Sequence, residues 1–108
     1  MPDSITPIHS TLENTAEHAD AINKFVIRLA ERVDELQDSE FNGNLPMLEK
    51  LAVKLGCLSD ALGYACLTEQ TDRIRAACRQ DKPELAQAAL VELTDLSRRV
   101  RLGHRGAA

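Results

Sequence analysis

Residues 44–63 read NLPMLEKLAVKLGCLSDALG, and they decide the fold. Asn44 has a side-chain oxygen suited to accept from a free N–H of a first helical turn, and Pro46 falls where a missing N–H costs nothing. Leu45, Leu48, Leu51, Ala52, Leu55, Leu58, Ser59 and Leu62 recur at steps of three and four, the stripe of an amphipathic helix. Gly63 is a natural stop, since glycine readily adopts the left-handed conformation that closes a helix. The spacing predicts a helix from Asn44 to about Ala61 or Leu62.

The same grammar extends in both directions. Upstream, Ser39–Asn44 is a polar break containing Gly43. Before it, Ile22, Phe25, Val26, Leu29, Val33 and Leu36 form a second stripe, predicting a helix over Asp20–Gln37. Ser10 or Thr11 is placed to cap a short additional N-terminal helix, with Glu13 and Glu17 near its positive end. Residues 1–9, with Pro2 and Pro7, read as a tail. Downstream, Leu67, Thr71, Ile74 and Cys78 line up over Leu67–Arg79. Asp81, Pro83 and Glu84 then have the spacing of a capping box for a last helix, whose stripe is Leu85, Ala89, Leu93, Leu96 and Val100. Gly103 reads as its stop and 103–108 as a tail. No segment alternates with the period of a strand. Four amphipathic helices with short connections bury their stripes only against each other. The expectation is one all-α domain over 10–102, an antiparallel four-helix bundle with a short extra helix in front.

Composition narrows the function classes. The chain has 108 residues, 28% charged and 44% hydrophobic, with one Tyr, two Phe and no Trp. So few aromatics make a poor stacking platform for single-stranded nucleic acid, and a net charge of −4 argues against a phosphate-backbone binder. No apolar run approaches a membrane span, and the first residues lack the basic start and apolar stretch of a secretory signal. The expectation is a cytoplasmic protein with reduced thiols, binding neither nucleic acid nor membrane. Charge is uneven: residues 1–44 hold nine acids and three bases, residues 45–108 eight acids and ten bases. Arg98, Arg99, Arg101 and Arg105 crowd the end, either as a solvated helix terminus or as a basic docking patch.

Catalysis has no support in the residues. Cys57, Cys66 and Cys78 have neither C-x-x-C spacing nor a histidine at zinc-ligand distance along the chain. Cys66 and Cys78 read as small hydrophobes. His9 and His104 fall in the expected tails and His18 near the start of the first long helix, none in a recognisable triad. No phosphate-cradling glycine loop is present. The expectation is a non-enzyme without metal or cofactor.

The outer face of the 44–63 helix is the informative place. With Leu55 at the centre of the buried stripe and about 100° per residue, Val53 lies near ~160°, Cys57 near ~200°, Asp60 near ~140° and Lys50 near ~220°. Gly56 flanks them near ~100°. An aliphatic residue, a thiol and a glycine on an outward face lack an obvious local cause, and glycine in a helix costs about 1 kcal/mol relative to alanine.

The order of these residues resembles the histidine-containing phosphotransfer (HPt) domain of two-component phosphorelays, over about residues 20–101. That family starts its central helix with Gly-Asp, follows nine residues later with Ala-His-x-Leu-Lys-Gly, and has a further glycine ten residues after the histidine. Here Gly43-Asn44 stands at the start, and Ala52, Leu55 and Gly63 match. Val53 occupies the position of the phosphorylated histidine, Gly56 that of the lysine and Cys57 that of the glycine; Lys54 falls at the variable position.

The resemblance implies an HPt-like module that does not itself carry phosphate, since valine has no lone pair to act as nucleophile and Gly56 supplies no cation for phosphoryl oxygens. It implies a docking surface for a response-regulator receiver domain or a histidine kinase, centred on Val53, Gly56 and Cys57 and ringed by Lys50, Lys54 and Asp60. Two alternatives stand beside it. One is a scaffold or homodimerisation module using the same outer face. The other is an active phosphotransfer protein using His18.

Overall fold

The structure, a computed structural model, describes residues 6–107. Four helices account for most of it: α1 (Ala16–Phe41), α2 (Leu45–Ala61), α3 (Ala65–Arg79) and α4 (Pro83–Ala107). Each packs on the next and α1 closes on α4, with the α2–α3 contact the most extensive. No strand occurs among the described residues.

The apolar stripes place the core. Ile22, Phe25, Val26, Leu29, Val33 and Leu36 of α1 are all buried, as are Leu48, Ala52 and Leu55 of α2 and Leu67, Thr71, Ile74 and Cys78 of α3. In α4, Ala89, Leu93 and Val100 are buried as the spacing predicts, but Leu85 is exposed. Ala86 and Leu90 turn inward instead, rotating the first turn of the stripe by one position. Phe25 stacks on Tyr64, ring centroids 5.6 Å apart, and so ties α1 to the α2–α3 turn.

All three turns are built alike. Gly43 N–H donates to Glu40 C=O and Asn44 N–H to Ser39 C=O; Gly63 and Tyr64 repeat this on Asp60 and Ser59, and Asp81 and Lys82 on Cys78 and Ala77. Each pair is a Schellman closure whose first residue has positive φ, +69° at Gly43, +82° at Gly63 and +56° at Asp81. Asn44 also caps α2, its side chain accepting from Met47 N–H at 3.2 Å. Asp81, expected as the cap of α4, instead closes α3: its N–H donates to Cys78 C=O, and the first turn of α4 starts one residue later, from Lys82 C=O, which accepts from Leu85 and Ala86.

Both chain ends depart from the expected tails. Among the described residues no separate helix precedes α1. Ser10 is spent on a turn over Thr11–Asn14, accepting from Leu12 N–H at 2.9 Å while its hydroxyl donates to Leu62 C=O. Thr6–Ser10 forms a strap across α4: Ile8 N–H donates to Arg99 C=O at 3.0 Å, and Arg99 Nε donates to Thr6 C=O at 2.8 Å. Gly103 is a buried residue inside α4 and not its stop. The strap explains it, because a β-carbon there would collide with the Ile8 carbonyl. Residues 1–5 and 108 of the expected tails lie outside the described residues.

Candidate functional site

The outer faces of α2 and α3 enclose a shallow groove of about 460 Å³. α2 contributes Val53, Gly56, Cys57 and Asp60, and α3 contributes Thr68, Thr71, Asp72, Arg75 and Arg79. Of the residues expected at the site, four therefore meet. Val53 is 42% exposed although Ala52 and Leu55 on either side of it are buried, the phase expected from the stripe. Cys57 is an exposed free thiol beside it. Lys50 and Lys54 are exposed on α2 but do not line the groove. Their angular positions, near ~220° and ~260°, lie beyond its edge.

Gly56 needs correction. It was expected on an outward face at the centre of the docking surface, yet it is buried, and an added β-carbon would lie 2.5 Å from Thr71 Oγ1. The glycine exists so that α3 can approach α2. Its carbonyl accepts from Ser59 Oγ at 3.1 Å, Ser59 Oγ meets Thr68 Oγ1 at 2.7 Å, and Thr71 Oγ1 donates to Thr68 C=O at 2.9 Å. Ser59 and Thr68 pair hydroxyl to hydroxyl, Thr71 turns its own to a backbone carbonyl, and the three form a floor between the helices.

The α3 wall is the part that the sequence reading missed. Arg75 lies 3.9 Å from Asp72, and Arg79 Nε lies 2.6 Å from Glu49 Oε2 of α2. Arg79 is held by a short charge-assisted hydrogen bond and Arg75 only by a long contact, and each guanidinium keeps further donors. Asp60 opposite makes no ion pair among the described residues. The signal was available: Thr68, Asp72, Arg75 and Arg79 follow steps of four, three and four alongside the buried stripe of α3.

The remaining candidates are scattered. His9 contacts Glu13 at 2.9 Å, His104 contacts Asn23 at 2.9 Å, and half-buried His18 has no partner for Nδ1. Burial pushes the Cys66 thiol up, and likewise that of Cys78, with the Glu49 carboxylate adding to the effect. Of the basic cluster, Arg98 and Arg99 pair with Asp95, and Arg99 also holds the strap. No group of three or more potential metal ligands gathers among the described residues. The groove offers an apolar and thiol-bearing edge, a hydroxyl floor and charged walls carrying Asp60, Asp72, Arg75 and Arg79. Against models of known protein families, curated proteins and solved structures, the chain has no significant match.

Proposed function

We propose that this chain is an HPt-like docking module, its four helices arranged as an antiparallel bundle, that binds a receiver domain or a histidine kinase without carrying phosphate. The observation that carries the reading is the exposure of Val53 between buried Ala52 and Leu55, on the wall of a groove. An aliphatic side chain left in water on a groove wall among polar neighbours gains when a partner covers it. Arg75 and Arg79, with Asp60 and Asp72 beside them, suit a partner surface that carries charges of both signs.

The test is titration of receiver and kinase domains from the same genome with the Val53→Glu variant. A carboxylate at a dehydrated contact centre costs about 2 kcal/mol or more, roughly a thirtyfold loss of affinity. In the free protein the same glutamate faces water, so stability changes by no more than about 0.5 kcal/mol. Leu55→Glu, by contrast, unfolds the bundle. Undiminished binding by Val53→Glu overturns the reading, as does its melting like Leu55→Glu. So does acid-labile, base-stable phosphate on the chain after incubation with a phosphorylated receiver.

A further inference from the structure

A second groove, of about 380 Å³, runs between α3 and α4 on a different face. Its floor is Ala77 and Ala89, both buried, and Leu85 stands at its mouth with half of its surface in water. Gln70 also lines it. That side chain is 94% buried, since 6% is exposed, and its Oε1 has no hydrogen-bond partner. Arg73 borders the groove from α3 and Glu92 from α4.

We propose that the occupant is a second copy of this chain, docked about a two-fold axis parallel to the α3–α4 pair. This does not rest on the docking function proposed for the α2–α3 groove. In a two-fold contact every feature must complement itself, and these do. The α3–α4 turn centres on Asp81, so residues equally distant from it share a level. Ala77 and Leu85 each lie four residues away. The rotation sets α3 of one copy against α4 of the other, bringing each exposed leucine onto the other copy's alanine floor.

The charges follow the same operator. Arg73 is eight residues before Asp81 and Glu92 eleven after, an offset of about 4.5 Å along the axis at 1.5 Å per residue. Long side chains span that offset, so two Arg73–Glu92 pairs form, one at each side. Arg73 is held within its own chain only by an exposed pair with Glu69 at 3.5 Å, leaving guanidinium donors free.

Sedimentation equilibrium tests this directly. The wild-type chain forms dimers in a concentration-dependent manner, and Leu85→Glu stays folded and weakens dimerisation at least tenfold. Arg73→Glu and Glu92→Arg each weaken it by a similar factor, because each homodimer then opposes like charges. An equimolar mixture of these two variants dimerises again, since both pairs are restored in the heterodimer. A wild-type chain that stays monomeric at about millimolar concentration overturns the proposal, as does a dimer indifferent to Leu85→Glu. Failure of the charge-variant mixture to associate overturns it as well.

Discussion

Replacing Gly56 by alanine puts a methyl carbon 2.5 Å from Thr71 Oγ1 and 3.4 Å from its Cβ. Thr71 is 1% exposed, and its hydroxyl is committed to the Thr68 carbonyl. Moving the oxygen aside gives up a hydrogen bond worth about 1 kcal/mol, and spreading α2 from α3 incurs an overpacking cost of about 1–3 kcal/mol. Alanine itself favours a helix interior over glycine by about 1 kcal/mol. The net expectation is a loss of about 1–3 kcal/mol, each kcal/mol lowering Tm by about 4–8 °C in a domain of this size. In a Thr71→Ala background the obstructing oxygen is gone, and the same substitution becomes stabilising by up to about 1 kcal/mol. Urea unfolding followed by far-ultraviolet circular dichroism, on all four members of the cycle, measures the coupling. If Gly56→Ala stabilises the wild-type chain, α2 and α3 do not approach as described. If it destabilises both backgrounds equally, Thr71 is not the obstacle.

Three further outcomes follow from single residues. At Asp81, φ of +56° predicts that Asp81→Gly raises stability by up to about 1 kcal/mol while Asp81→Val lowers it by about 1–2 kcal/mol; thermal melts of the pair decide, and the reverse order removes the left-handed turn. Burial, reinforced by Glu13 and then Cys66, pushes the Tyr64 hydroxyl from 10.0 up to about 12. The folded state holds that proton more tightly than the unfolded chain, so the associated stability is complete below pH 10 and is lost as pH rises from 10 through 12; Tyr64→Phe lacks this component, seen as a flatter stability–pH curve. Alkylation of the native protein modifies exposed Cys57 first, half-buried Cys66 more slowly and buried Cys78 only on unfolding, an order that peptide mass spectrometry reads directly.

The sequence was informative wherever one helix answers to its own periodicity. The stripe of α1 and the cap at Asn44 were legible because neither depends on which helix lies opposite. What escaped was set by neighbours. Gly56 looks identical whether it faces a ligand or Thr71, and only the approach of α3 distinguishes the two. Gly103 resembles a helix stop until the strap at Ile8 is seen to need its bare backbone. Asp81 has capping-box spacing, but its backbone is claimed by the closure of the preceding helix. For the same reason Val53, Cys57 and Asp60 were placed correctly on an outer face, while the arginine wall opposite them came from a helix read separately.

The central claim is that the α2–α3 groove is a docking surface, and amide chemical-shift mapping tests it most directly. A receiver domain titrated into isotopically labelled protein is expected to shift or broaden the resonances of Val53, Cys57, Asp60, Arg75 and Arg79 together, with those of α1 unmoved. Perturbations confined to α1, or to Gln70, Leu85 and Glu92 of the other groove, would contradict the account, as would a spectrum that does not change at all.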